Sequence, residues 1–214
     1  SPGFPRKALV NKPPLAAVTS SAVFSTKGLQ GMIARFFDEE VMEAVAAVFR
    51  DKGRHLSIGT TNLDALRPVI WNITRIAASG HPDALKLIRK VMLASASIPI
   101  AFPPVKIEVE VDGRRYDEMH VDGGTGTQVF VYPASLDWSE ITEQLAVMGR
   151  PQVYVIRNSF LEADHEGVNR NLMPIASRSI AALIRPQGIG DLYQIYALCH
   201  RAGHDYTLAF LPSS

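Results

Sequence analysis

Lys106-Ile107-Glu108-Val109-Glu110-Val111-Asp112-Gly113-Arg114-Arg115-Tyr116-Asp117-Glu118-Met119-His120-Val121-Asp122-Gly123-Gly124 is the stretch from which the fold is read. Asp112-Gly113 between two β-prone runs is a two-residue hairpin signal, because both positions tolerate the positive φ that a tight turn with the right twist demands. The runs on either side, residues 106–111 and 114–121, are therefore antiparallel strands. The second strand ends at Asp122 and meets two glycines, so its last carboxylate sits on a rigid element beside a turn, where other loops can reach it.

Working outward, Pro99, Pro103 and Pro104 forbid helix immediately before this hairpin. A helix is expected upstream of them, with Pro82 in its first turn, running to about Ser95 and placing Leu85, Ile88 and Met92 along its buried side. Further upstream, residues 55–61 and 68–73 are strands joined by a turn at Asn62-Leu63-Asp64. Residues 29–37 and 39–52 are helices. Asp38 is placed to cap the second, and Gly53 to stop it. Residues 1–27, rich in Pro, Ser and Thr, are an irregular lead-in. Downstream, strands are expected at residues 128–132, 152–157 and 206–211, and helices at 137–148, 174–184 and 191–202. Strands separated by helices imply an α/β fold with a mixed, largely parallel sheet covered on both faces, to which antiparallel hairpins are added.

With 214 residues, 47% of them hydrophobic and 20% charged, the chain is long and apolar enough for a single domain. It is neither disordered nor a coiled coil. The formal net charge is only +1, and nothing in that balance asks for nucleic acid. The charge is unevenly placed: residues 1–107 hold 14 basic and 7 acidic side chains, residues 108–214 hold 8 and 14. A basic patch on the first half would suit an anionic membrane surface, whereas interleaving of distant segments would cancel it. The lone Cys199 excludes an intramolecular disulfide and a thiolate metal cluster. No apolar stretch has the ~20 residues of a membrane span, and residues 1–20 do not read as a signal peptide. The compartment is left open.

Two blocks then carry the function: Ala94-Ser95-Ala96-Ser97-Ile98-Pro99-Ile100-Ala101-Phe102-Pro103-Pro104 and, some eighteen residues later, Asp122-Gly123-Gly124. In that order they resemble the patatin-like phospholipase family, which carries an Ala-Ser-x-Ala-x-Pro-x-x-Phe-Pro-Pro block followed by Asp-Gly-Gly or Asp-Gly-Ala. The similarity extends over about residues 29–132. It implies a three-layer α/β/α sandwich and a lipid acyl hydrolase that uses a Ser–Asp dyad, needs no cofactor and acts on lipid or phospholipid esters. Asp122 matches the dyad aspartate. Gly123 and Gly124 match the glycines that let the chain turn after it.

The family's nucleophile lies in a Gly-x-Ser-x-Gly elbow and its oxyanion hole in an earlier Gly-rich loop, and neither pattern occurs in these 214 residues. The expectation is an N-terminally truncated domain, inactive alone, with the serine upstream. Surface exposed by such a truncation would favour a homodimer. The alternative is a non-catalytic lipid- or protein-binding domain on the same scaffold. Ser95 and Ser97 are read as packing residues and not as replacement nucleophiles. His120 shares a strand face with Asp122 and is expected to support it by a hydrogen bond. His165, close to Glu162, Asp164 and Glu166, is read as part of a solvated loop, and no metal is expected.

Overall fold

The computed structural model describes residues 10–11, 24–130, 149–161, 165 and 167–211. Where the sequence was read as one domain, the contacts of the chain group into two compact units, residues 1–126 and 127–214.

In the first unit the described elements are β1 (Val10–Asn11), β2 (Phe24–Ser25), α1 (Lys27–Phe36), α2 (Glu39–Lys52), β3 (Ser57–Asn62), β4 (Arg67–Asn72), α3 (Ile73–Ala77), α4 (Ala84–Ser95), β5 (Val105–Val111) and β6 (Arg114–Asp122). The segment expected to be irregular thus contributes a short antiparallel ladder, Val10 opposite Ser25 and Asn11 opposite Phe24. Local chemistry sets most boundaries. Asp38 caps α2 by accepting from the Val41 amide at 3.0 Å, and Gly53 ends it at φ +62°. Asp112 and Gly113, at φ +51° and +74°, make the tight turn between β5 and β6. Asn62 Oδ1 accepts from the amides of Asp64 and Ala65, which folds the β3–β4 turn as expected. The strand expected through Ile73 stops at Asn72, whose side chain accepts from the Arg75 amide and so starts α3.

The sheet order is β4-β3-β6-β5, and every pairing in it is antiparallel. The expected largely parallel sheet is corrected here: among the described residues only β7 (Gln152–Phe160) and β8 (Asp205–Leu211), in the second unit, pair in parallel. α4 lies between the two edge strands β4 and β5, and β5 then doubles back through a hairpin to pair with β6. α1 to α4 cover the sheet over a core that includes Ile33, Ile73, Ile88, Val91 and Ile107. Each such side chain fully removed from water stabilises the fold by roughly 1.5–3 kcal/mol.

In the second unit α5 (Leu172–Ala202) packs on the β7–β8 pair through Leu192, Ile195 and Cys199, against Val155. Expected as two helices separated near Pro186, it is one continuous helix with Pro186 inside. No described helix is long and apolar enough to cross a membrane. Residues 128–130 are not in a strand. Residues 131–132 and the helix expected at 137–148 lie outside the described residues.

Candidate active site

β6 delivers Asp122 to the point where its ladder with β3 ends. Only Thr60, Thr61 and Asn62 pair with it, opposite Asp122, Val121 and His120. Beyond Asp122 the chain leaves the sheet in a 3-10 turn, Gly123–Thr125. Asp122 is half-buried. Its Oδ1 accepts from the Gly124 amide at 2.7 Å, and among the described residues nothing donates to Oδ2. Burial pushes its carboxyl above the ordinary 3.8, opposed by the Gly124 hydrogen bond.

The two glycines do different work. Gly124 supplies the amide that orients the carboxylate. Gly123 is needed for space: a Cβ there would stand 2.6 Å from the Gly59 carbonyl oxygen of β3. Its φ is not positive, so within this turn glycine is required by the close approach of two backbones and not by a left-handed conformation. The Thr61 hydroxyl lies 3.1 Å from the Asp122 carbonyl and 3.3 Å from that of Gly123, tying the turn back to β3.

The proline-rich block holds the same strand end from the other side. The Asp122 amide donates to the Ser97 carbonyl at 3.0 Å. The Ser97 hydroxyl is fully buried and donates to the Leu93 carbonyl at 2.8 Å. It is therefore engaged with the helix end, as its packing role requires. After Ser97 the chain reverses through Ile100 at φ +71°, a strained conformation for a β-branched residue. Bonds from the Phe102 amide to the Ile98 carbonyl and from the Phe24 amide to the Ala101 carbonyl, each 2.9 Å, hold the reversal in place.

His120 is fully buried. Its Nδ1 lies 2.9 Å from Thr60 Oγ1 and its Nε2 3.4 Å from Glu118 Oε2. Trp71 Nε1 donates to the same Thr60 oxygen at 2.8 Å, and the Trp71 ring meets the imidazole edge-on. A neutral imidazole protonated on Nε2 satisfies all four groups: Trp71 donates to Thr60, Thr60 to Nδ1, and Nε2 to Glu118. The hydrogen bond expected between His120 and Asp122 is not among these contacts; alternate positions on one strand diverge, and Thr60, diagonal across the ladder, takes the imidazole instead.

Thr60, Thr61 and Trp71 were assigned no role from sequence. The signal was three successive polar residues at the buried end of a β-prone run, Thr60-Thr61-Asn62. His165 is described, whereas Glu162, Asp164 and Glu166 beside it are not. Among the described residues no cluster of His, Cys, Asp and Glu is arranged to hold a metal ion.

No curated protein matches the chain. A family model described as patatin-like phospholipase matches residues 4–134. That span takes in Asp122, its two glycines, the proline-rich block and the Trp71–Thr60–His120 contacts, and it is more than half of the chain. The chain belongs to the patatin-like phospholipase family.

Proposed function

We propose that this chain carries the base of a lipid acyl hydrolase, with Asp122 as the aspartate of a Ser–Asp dyad. The family consists of lipid acyl hydrolases. The observation that carries the assignment to Asp122 is its geometry: one carboxylate oxygen is fixed by the Gly124 amide while the other accepts no bond among the described residues. A base oriented in this way can meet a hydroxyl without first giving up a partner. The three-layer sandwich is part of the same reading, as is a serine lying in a segment that precedes residue 1, since no Gly-x-Ser-x-Gly occurs within the chain.

The chemistry balances through two half-reactions. The serine oxygen attacks the ester carbonyl carbon as its proton passes to the Asp122 carboxylate. The tetrahedral intermediate collapses, the carbon–oxygen bond to the alcohol breaks, and Asp122 returns the proton to that alcohol. Water then attacks the acyl-serine, Asp122 takes the water's proton and gives it back to the serine oxygen, and the fatty acid departs. Asp122 must be ionised to begin. Because burial raises its pKa, the acid limb of kcat/KM is expected at a pH above the ordinary 3.8.

The test uses the protein that contains this segment together with its serine, on a chromogenic fatty-acyl ester. Asp122→Asn is expected to lower kcat by about 10²–10⁴-fold. Turnover that survives the change overturns the dyad. Absence of any turnover in the unmodified protein favours the lipid- or protein-binding reading.

A further inference from the structure

We infer that the α3–α4 face of the first unit docks on an anionic phospholipid surface. A groove of about 530 Å³ runs between α3, the turn after it, α4 and β5. Arg75, His81, Lys86 and Lys90 line it, over apolar walls from Ile76, Leu87 and Ile107. Lys86 and Lys90 stand one helical turn apart on the same stripe of α4, and with Arg89 they also border a second groove, of about 420 Å³, on the other side of that ridge.

Arg75, Lys86 and Lys90 outnumber the two carboxylates in the lining, Asp83 and Glu108, which leaves the groove cationic. Asp83 lies 3.8 Å from Lys86, and Glu108 lies 3.6 Å from Arg115, which is outside the groove and is shared with Glu110 at 3.8 Å. Lys90 spends one donor on the Lys106 carbonyl, which leaves its charge unneutralised. The Arg75 guanidinium faces no carboxylate among the described residues. His81 Nδ1 accepts from the Asp83 amide at 3.1 Å, so in the neutral ring the hydrogen is on Nε2, another donor for an oxygen of a phosphate.

Cations set over aliphatic side chains suit a lipid interface, where phosphates meet the charges and glycerol and upper acyl carbons meet the apolar walls. No Phe, Tyr or Trp ring lines the groove to stack a nucleic-acid base. The groove also lies along the helix that leads to the candidate site. The helical rise puts Lys90 about 8 Å, and Lys86 about 14 Å, before Ser95 at the end of α4, two residues short of Ser97, whose carbonyl holds Asp122. Docking does not depend on the dyad, and its test requires no turnover.

The experiment is co-sedimentation of the full chain with phosphatidylcholine vesicles made with and without phosphatidylglycerol. Binding is expected only to the anionic vesicles and is expected to weaken as salt is raised. Arg75→Gln with Lys90→Gln should weaken it about twenty-five-fold, about fivefold for each charge removed. Arg50→Gln with Lys52→Gln, which removes the same charge at the end of α2, should weaken it far less, and both double variants should keep the parent's melting curve. Inorganic phosphate should not compete at concentrations matching the lipid phosphate. Equal affinity for neutral vesicles, equal loss in the two double variants, competition by inorganic phosphate, or stronger binding to single-stranded RNA would each overturn the inference.

Discussion

Asp122 is a half-buried carboxylate with an amide bond on one oxygen, and these two features act oppositely on its proton affinity, with burial the larger. The folded chain therefore holds that proton more tightly than the unfolded chain does. The resulting contribution to stability is fully present below the unfolded-state pKa, near 3.8, and is lost as pH rises through the higher folded value. At neutral pH the ionised carboxylate thus opposes folding. Asn at position 122 keeps an oxygen for the Gly124 amide and carries no charge, so Asp122→Asn should melt higher than the parent at pH 7. The gain should shrink as pH falls toward 4, and calorimetry at several pH values checks both the sign and the trend. Gly123 makes a steric prediction. The Cβ of an alanine would stand 2.6 Å from the Gly59 carbonyl oxygen, a backbone atom that cannot move alone. Gly123→Ala should cost about 1–3 kcal/mol in a denaturant titration. The carboxylate was legible in the sequence because a strand pattern ran straight into it. The reason for Gly123 was not, because closeness to Gly59 joins two positions 64 residues apart and leaves no local mark on either.

At the scale of elements, Thr60 ties the short β3–β6 ladder to β4. Its hydroxyl serves Trp71 of β4 and His120 of β6 together, so three adjacent strands meet at one oxygen. Thr60→Val keeps the shape and removes both interactions, leaving a half-buried indole N–H and a buried imidazole nitrogen without their Thr60 partner. The expected loss is about 2–4 kcal/mol. Thr60→Ser keeps the oxygen and removes one methyl, and should lose about 1 kcal/mol. Equal losses in the two variants would show that the methyl and not the hydroxyl matters. Strands and helices of the first unit were largely legible, because caps and turns are written locally: Asp38, Gly53, Asn62 and Asp112-Gly113 all act within a few residues of themselves. α5 shows where that logic fails. Pro186 should break a helix in isolation, yet packing of Leu192, Ile195 and Cys199 under the same helix outweighs the lost backbone bond. Pro186 is exposed, so Pro186→Ala should restore the amide that bonds the Ala182 carbonyl and raise stability by about 1–3 kcal/mol in thermal melts.

At the scale of the molecule, hydrophobic periodicity tells which segments are strands but carries no information on which strands pair. A helix between two strands therefore looked like a parallel crossover, when α4 in fact spans from one edge of an antiparallel sheet to the other. Nor do apolar residues announce which core they join. Each unit has its own: one cluster centres on Ile73, Ile88, Val91 and Ile107, the other on Val155, Leu192, Ile195 and Cys199. The whole four-stranded sheet, Asp122, its oriented carboxylate and the cationic groove fall within residues 1–126, and the family match extends over nearly the same span, to residue 134. A unit with its own core and sheet should fold without the rest. The fragment 1–126 is accordingly expected to melt cooperatively. Trp71 is then the sole tryptophan, and its indole N–H is bonded to Thr60, so its fluorescence reports on the strands beside Asp122. Fluorescence and circular dichroism should follow one transition. A gradual, uncooperative loss of Trp71 signal would mean that the second unit is required to hold the β3–β6 ladder in place.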